Sequence, residues 1–412
     1  MKSDLMRLMA EKDYAAILIT GPAQHNPAMV YMTGGGHMGH ADLLMPRGGK
    51  PILFHNPMER DEAAATGLKT RNLVDYGWKD LLAEAEGDSL LATALRYKKM
   101  LTEYGVAAGK VVVFGKGEVG SNYAVYTALQ GIMPEIEIIG EPARSSTLLE
   151  AMATKDESEV ERVRMMGKIT TAVVAQVADF LTSHRAKNGV MVKKDGQPLT
   201  IGEVKGKINL WLAEKGVENP HGTIFAIGRD AGVPHSTGNP SDVMALGKTI
   251  IFDIYPCEPG GGYHYDFTRT WCLGYAPDEV LALYDDVYQV YQTVMNELEV
   301  NKPFPFYQDR ACEIFETQGH PTIKDDPSIL EGYVHGLGHG VGLQIHEAPW
   351  SGSGATEKDI LAPGVVATIE PGLYYPSKGM GCRLEDTITV LPDGKIEVLA
   401  EFPLDLVLPV KN

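Results

Sequence analysis

The segment 335–347, HGLGHGVGLQIHE, restricts the backbone more than any other stretch of this chain. Glycine recurs at every second position from 336 to 342. Each glycine inside a helix costs about 1 kcal/mol relative to alanine, so the pattern predicts extended backbone. In an extended strand His335 and His339 share one face, and bare glycine backbone lets a ligand approach closely. A glycine-rich loop whose histidines only bond backbone groups is the alternative.

The length of the chain predicts two domains, because 412 residues exceed what one typical hydrophobic core accommodates. Across 143–161 the sequence passes from a proline-ended strand into a charged helix start, where Thr154 and Glu157 have the spacing of a capping box. We therefore expect an N-terminal domain over 1–150, in which short strands alternate with helices. A C-terminal domain would cover 151–412.

The acidic composition restricts the partners of the chain. A formal net charge of -17 disfavours nucleic acid and anionic membranes, whose phosphates would be repelled. No run approaches the roughly 20 apolar residues of a membrane span. Charges throughout the first residues disfavour a signal peptide. The four cysteines follow no metal-binding spacing and predict reduced thiols in a cytoplasmic protein.

Two aspartates interrupt apolar strand patterns in the C-terminal half. Asp253 lies inside 249–255, TIIFDIY, and Asp266 lies in the alternating segment 263–273, YHYDFTRTWCL. The turn-rich residues between them predict an antiparallel hairpin that brings the two aspartates side by side. Burying two like charges together is unfavourable unless a cation neutralises them.

Two glutamates follow a similar pattern. Glu370 ends the apolar run 365–370, VVATIE, before a Pro-Gly turn, and Glu385 lies in 381–390, GCRLEDTITV. The second segment predicts one alternating strand with Arg383 and Glu385 on the same face. Each acid alone is compatible with an ordinary exposed residue at a strand end. Four of them together with a histidine segment indicate a shared site.

The charges of these residues indicate a metal site. Two divalent cations would balance the four carboxylates, and a neutral His339 would add one nitrogen ligand. Carboxylate oxygens with one imidazole and no thiolate suit Mn²⁺, Co²⁺, Fe²⁺ or Zn²⁺. Two metals held close can bridge one water, lower its pKa and bind a carbonyl oxygen, which is hydrolytic chemistry.

These motifs resemble, in content and order, those of the pita-bread (creatinase/aminopeptidase-fold) metallopeptidases, and 335–347 resembles the signature of their proline-peptidase branch. The resemblance implies an α+β fold, with a C-terminal pita-bread domain after a smaller α/β creatinase-type domain that residues 26–35 match weakly. It also implies two divalent metal ions, manganese above all. Asp253 would bind only the second ion, and Asp266 and Glu385 would bridge both. The five implied ligands are Asp253, Asp266, His339, Glu370 and Glu385.

The same resemblance implies roles for further residues. His235, in GVPHSTGN, matches a histidine that contacts the substrate and stabilises the oxyanion. His346 matches one that contacts the substrate and passes a proton to the leaving amine. Glu370 matches the general base. Arg383 and His335 match residues that support substrate binding, Arg383 by meeting a substrate carboxylate in some members and His335 by hydrogen bonding.

The resemblance thus implies a dinuclear hydrolase that removes an N-terminal residue before proline, as an Xaa-Pro aminopeptidase or dipeptidase, by attack of a metal-bridging hydroxide. A small peptide or small-molecule substrate and a homodimer are expected. Two departures lie near the metals: the connection 256–265 is longer than the family pattern, and Tyr255 stands where glycine is common. A relative acting on a non-peptide amide, or as a lyase, stays open. A non-catalytic pita-bread binding module is the third alternative.

Overall fold

The computed structural model describes residues 2–410, which form two compact units. The first unit runs through Met152 and also includes Gly260–Gly262. The second comprises Ala153–Pro259 and the chain from Tyr263 onward. Both units contain helices and sheets, which confirms the expected combination of α and β structure. Within the described part of the chain, every helix is too short or too polar to cross a membrane.

The first unit is built on a six-stranded sheet. Its strands are β1 (Tyr14–Gly21), β2 (Ala41–Pro46), β3 (Ile52–His55), β4 (Lys69–Asn72), β5 (Gly109–Gly115) and β6 (Ile136–Ile139). They lie in the order β4-β3-β2-β1-β5-β6, with β1 antiparallel to β2 and parallel to β5. The helices are α1 (Leu5–Glu11), α2 (Pro27–Thr33), α3 (Arg60–Ala65), α4 (Trp78–Glu84), α5 (Ser89–Glu103), α6 (Val119–Ile132) and α7 (Thr147–Met152). Leu18 and Phe54 of the sheet share a core with Tyr97 and Met100 of α5.

The α-helices in the described part of the second unit are α8 (Glu157–Ser183), α9 (Ile201–Glu214), α10 (Asp278–Glu297) and α11 (Phe304–Thr317). Helix α8 begins at a capping box formed by Asp156 and Glu159. The predicted box of Thr154 with Glu157 is therefore wrong. Thr154 instead forms a β-bridge with Val365, which keeps its backbone out of the helix.

The strands of the second unit form two larger sheets and two pairs. The strands are β7 (Arg185–Lys187), β8 (Val190–Val192), β9 (Thr223–Ile227), β10 (Thr249–Ile254), β11 (Phe267–Leu273), β12 (His339–Gly340), β13 (Glu347–Trp350), β14 (Val366–Ile369), β15 (Gly372–Tyr375), β16 (Met380–Arg383), β17 (Asp386–Val390), β18 (Ile396–Val398) and β19 (Val407–Leu408). One sheet has the order β19-β11-β10-β9 and the other β13-β12-β14-β17-β18; β15 pairs with β16 and β7 with β8. The acid-bearing strands therefore belong to both larger sheets.

The strand register confirms the predicted aspartate hairpin. Strands β10 and β11 are antiparallel, with Asp253 opposite Thr268 and Asp266 just before β11. The single strand predicted over 381–390 is wrong. It breaks at Leu384 and Glu385, because β16 pairs with β15 whereas β17 pairs with β14. In the glycine-histidine segment His339 and Gly340 form β12 and Glu347 begins β13, while the residues between and before them are bends and irregular backbone outside any helix.

Candidate metal centre

Three of the predicted ligands converge on one buried point. Asp266, His339 and Glu385 each offer a ligand atom, and these atoms all lie within 4.8 Å of one another. His339 comes from β12, Asp266 from the residue before β11, and Glu385 from the break between β16 and β17. The meeting of the two sheets thus brings together residues that are distant in the sequence.

Glu370 lies beside this group, at the end of β14. Its Oε1 is 3.3 Å from Nε2 of His339, and the same nitrogen is 3.7 Å from Oδ2 of Asp266. The Nδ1–H of His339 donates to the Gly340 carbonyl at 3.1 Å. A neutral His339 in this tautomer presents the Nε2 lone pair to the carboxylates, which is the arrangement a metal-ligating histidine requires.

Asp253 is held at the edge of the group by an arginine. Its Oδ2 accepts a hydrogen bond from Nη2 of Arg383 at 2.6 Å, and both side chains are nearly buried. Its Oδ1 is also buried, and no donor among residues 2–410 reaches it. A buried carboxylate oxygen without a donor is costly. Asp253 therefore has a free ligand atom for a cation.

The raised pKa values of the buried carboxylates indicate an excess of negative charge. Burial raises the pKa of Asp266 well above its usual value, and the charge of Asp253 raises it further. Burial and the charge of Asp266 do the same to Glu385. Burial also raises the pKa of Asp253, although Arg383 opposes the effect. A divalent cation would remove the cost of ionising these groups.

Glu370 and His339 form an ion pair beside these buried carboxylates. Burial opposes the charge on His339, but the hydrogen bond and charge of Glu370 raise its pKa to about 9. Burial likewise opposes the charge on Glu370, but His339 lowers its pKa to about 2. Without a cation, the proton on His339 compensates part of the negative charge. The donor set, four carboxylates and one imidazole, fits hard or borderline divalent metals.

Thr268 connects Glu385 to Arg383, and the sequence alone predicted no role for it. Its hydroxyl donates to Oε2 of Glu385 at 2.6 Å and accepts from Nε of Arg383 at 3.2 Å. The side chain is fully buried. Its only signal in the sequence is its position two residues after Asp266 on an alternating strand. The contact itself depends on the register between β11 and the segment around Glu385.

Tyr374 is the second residue that the sequence did not reveal. Its hydroxyl accepts from Nη1 of Arg383 at 2.7 Å and lies 2.8 Å from Nε2 of His335. The Nδ1–H of His335 donates to the Gly336 carbonyl at 2.7 Å, and burial lowers the pKa of His335. Nε2 of this neutral ring is therefore an acceptor for the Tyr374 O–H. A continuous chain of hydrogen bonds runs from Asp253 to His335.

The remaining predicted histidines lie at the exposed rim of the cluster. The ring of His346 meets that of His339 edge-on, with centroids 4.3 Å apart. Partial burial and the charge of His339 lower the pKa of His346 to about 4. His235 is exposed on a loop, and its charge acts on both His335 and His346. Arg383 Nη1 also reaches the carbonyl of Pro234, the neighbour of His235, at 3.5 Å.

The fold and this carboxylate–histidine cluster define a protein of the pita-bread metallopeptidase class. Residues 161–392, more than half of the chain, match the model of metallopeptidase family M24, and the chain belongs to that family. The expected fold is confirmed by its similarity to the solved structure of an Xaa-Pro dipeptidase from Bacillus anthracis. The two structures have a TM-score of 0.75 and 20% sequence identity, and the match covers 98% of this chain and 99% of the other.

Two relatives match over part of their length. A Mycobacterium tuberculosis protein named as a probable dipeptidase, PepE, is 27% identical over 244 residues, which are 59% of this chain and 58% of that protein. The Xaa-Pro dipeptidase of Pyrococcus furiosus is 28% identical over 193 residues, 47% of this chain and 51% of that protein. The matched region thus covers just over half of each relative.

Proposed function

We propose that this chain is a dinuclear metal-dependent peptidase that removes an N-terminal residue preceding proline, as an Xaa-Pro dipeptidase or aminopeptidase. The observation that carries the proposal is the buried cluster of Asp266, His339 and Glu385, whose carboxylates repel one another more than the nearby positive charges of His339 and Arg383 offset. Membership of family M24 supports hydrolysis. The names of the relatives from Pyrococcus furiosus and Bacillus anthracis support the Xaa-Pro substrate.

The residues present fit two divalent cations. In this proposal Asp266 and Glu385 would serve both ions, Asp253 would serve the second ion, and His339 and Glu370 would serve the first. Bound there, the ions would polarise a peptide carbonyl and make water acidic enough to attack it near neutral pH. Manganese is the proposed native ion, with cobalt, zinc or iron as alternatives, because carboxylate oxygens dominate the donor set.

Three side chains supply the proton transfers and hydrogen bonds of the reaction. Glu370, whose Oε1 lies 3.3 Å from Nε2 of His339 at the cluster, accepts the proton of the attacking water. His235, exposed at the rim, donates an N–H to the developing oxyanion. His346 is neutral at the same pH, with its pKa at about 4. A neutral imidazole both accepts and donates, so it can pass a proton to the departing nitrogen.

Arg383 and His335 are proposed to act on the substrate site through the groups they hold. Arg383 is buried and donates to Asp253, Thr268 and Tyr374, so its first effect is on the position of the ligands. Its bond to the Pro234 carbonyl extends that effect to the loop of His235. His335 anchors the opposite end of the same hydrogen-bonded chain through Tyr374.

The test is hydrolysis of an Xaa-Pro dipeptide and an Xaa-Pro-containing tripeptide by apo-protein loaded with Mn²⁺, Co²⁺ or Zn²⁺. The matched control peptides carry alanine in place of proline. Cleavage of the dipeptide alone would identify a dipeptidase, and preference for the tripeptide an aminopeptidase. Failure to cleave either proline peptide, with two metals bound per chain, would contradict the proposal.

A non-peptide amide hydrolase or a lyase is the second candidate, favoured by Tyr255. This half-buried side chain follows β10 directly. Burial and the charges of Asp253 and Asp266 raise its pKa far above the usual value, so a protonated phenol lies at the cluster. A phenol here would narrow the space for a peptide and donate to another substrate. Turnover of simple amides without turnover of proline peptides would favour this candidate.

Assembly and location complete the proposal. We propose a homodimer, to be tested by sedimentation of the purified chain at several concentrations. We also propose a cytoplasmic location. The four cysteines, Cys257, Cys272, Cys312 and Cys382, support it because all are buried as free thiols.

A further inference from the structure

A buried ion pair lies beneath the turn that carries His346. Nζ of Lys155 contacts Oε1 of Glu347, and the two side chains are 2% and 0% exposed. Such a pair, removed from water, requires good geometry and further hydrogen bonds to offset its desolvation. Neither residue belongs to the metal ligands, and neither has a role in the proposed reaction so far.

Lys155 is fixed by its backbone before helix α8 begins. Its N–H donates to the Gly364 carbonyl at 2.7 Å, and the next residue, Asp156, is the N-cap of the helix. Lys155 therefore lies between a long helix and the segment leading into β14. Its ammonium group extends from this fixed point toward the connection between β12 and β13.

Glu347 closes that connection, residues 341–346. It is the first residue of β13, pairs with Gly340 of β12, and directly follows His346. Its Oε2 accepts the N–H of Gln344 at 3.4 Å while Oε1 meets Lys155. Both carboxylate oxygens are therefore engaged, one in closing the turn and one in tying it to Lys155.

The ion pair packs directly against the turn. A Cβ added to Gly342 would overlap Oε1 of Glu347 and lie 2.9 Å from Cε of Lys155. The carbonyl of Gly342 accepts the backbone N–H of His264 at 2.8 Å. The turn is thus held from below by the Lys155–Glu347 pair and from the side by the chain before Asp266. His339 lies just before the turn 341–346 and His346 is the last residue of the turn, and the two rings are in contact.

We propose that Lys155 and Glu347 are positioning residues for His346. By closing and anchoring the turn 341–346, the pair fixes the His346 imidazole against His339 and over the carboxylate cluster. This rests on the proposed peptidase function, in which His346 acts on the leaving amine. Lys155 touches neither substrate nor metal, so its effect on the reaction passes through His346.

The kinetic test is a double-mutant cycle with metal-loaded, full-length protein. Lys155→Met keeps an unbranched side chain one atom shorter than lysine and removes its charge. We expect kcat to fall about tenfold or more, with KM and bound metal little changed, because a small displacement of a reacting group is costly. In the His346→Ala background, the same substitution should have little further effect. An equal fall in both backgrounds would overturn the proposal.

A second readout does not depend on turnover. In protein labelled with ¹⁵N-histidine, the His346 ring resonances, assigned with His346→Ala, should shift or broaden in Lys155→Met. The matched control is Arg164→Met, which breaks an ion pair between helix α8 and Glu397 (3.0 Å) and should leave the His346 resonances unchanged. Unchanged His346 resonances in Lys155→Met would refute the positioning role. If wild type cleaves no peptide, the proposed function fails, while this spectrum still decides the positioning.

Removing one partner leaves a buried charge, so Lys155→Met could impair folding. In that case Lys155→Met with Glu347→Gln removes both charges together and keeps an amide oxygen for Gln344. The combined variant should fold, retain metal and show the displaced His346 resonances. A combined variant with wild-type resonances and wild-type kcat would overturn the proposal.

Discussion

Nη2 of Arg383 donates to Oδ2 of Asp253 at 2.6 Å, so a buried arginine beside the carboxylate cluster is bound to a proposed metal ligand. Arg383 also donates to Thr268 and Tyr374. Its position therefore couples the charge balance of the cluster to the geometry of the strands around it. We therefore expect the positive charge of Arg383 to offset part of the negative charge that a bound cation would also neutralise.

Replacing Arg383 by methionine should affect the metal-free protein more than the loaded protein. Without metal, Asp253 would be a buried charge without a partner, which costs about 3–5 kcal/mol. A bound cation would reduce the loss. Chemical unfolding with and without Mn²⁺ measures the difference. Arg310→Met, which breaks a partly exposed pair with Glu297, should cost less than about 1 kcal/mol in both states. Equal losses for Arg383→Met in both states would contradict the prediction.

Replacing Glu385 by glutamine should abolish metal binding and turnover while leaving the metal-free fold intact. The amide still accepts from Thr268, and removing one charge relieves repulsion from Asp266. The metal-free variant should therefore be at least as stable as the metal-free wild type. Metal content and thermal unfolding measure both effects. The control Glu397→Gln changes an acid paired with Arg164 and should retain the metal. Full metal content in Glu385→Gln would show that Glu385 is not a metal ligand.

Replacing Thr268 by valine should weaken metal binding without removing a ligand. The hydroxyl joins Glu385 to Arg383, and its loss should cost about 1–3 kcal/mol of stability and about 10–100-fold in metal affinity. Thr270→Val is the matched control, because the Thr270 hydroxyl on the same strand bonds the backbone of Arg383 rather than the carboxylate of a proposed ligand. Calorimetric titration with Mn²⁺ measures the metal affinity of both variants, and only Thr268→Val should show the loss. An equal affinity loss in both variants would show a general effect of strand β11.

Replacing His346 by alanine should keep the metals and remove most of the rate. The side chain lies at the rim, touches His339 by its ring, and provides none of the clustered ligand atoms. Loss of a proton-transfer group costs about 10²–10⁴-fold in rate. Metal content and kcat, measured on the same preparation, test this. An unchanged kcat would exclude His346 from the reaction.

The stability of the first unit should depend on pH through Glu141. Burial opposes its charge, but donors from Thr147, Tyr14 and Lys12 lower its pKa below the usual value. A carboxyl with a lowered folded-state pKa stabilises above its unfolded pKa, and the effect disappears as pH falls through the folded value. Glu141→Gln should therefore cost about 1–3 kcal/mol at pH 7. Urea unfolding at pH 7 and near pH 3 should show that the difference in unfolding free energy between Glu141→Gln and wild type shrinks at the lower pH. A difference that does not change with pH would contradict the role of the Glu141 charge.

Local sequence patterns predicted the main parts of the centre. The apolar strand around Asp253 and the alternating segment after Asp266 form the predicted antiparallel hairpin. The glycine-histidine segment avoids helix, and His339 lies with Asp266 and Glu385 as a metal group requires. These features depend on hydrophobic period and glycine content over a few residues, which a single sequence displays directly.

The sequence by itself determined the class of fold and the residue types of the candidate metal site. Only the tertiary structure decided which other side chains contact the site residues and hold them in place. Thr268 meets Glu385 across 117 positions of sequence, and Lys155 meets Glu347 across 192. Strand 381–390 breaks because its two halves pair with different partners. Such contacts depend on sheet register and shared burial between distant segments, and a shift of one residue in register would separate them, so no local pattern specifies them.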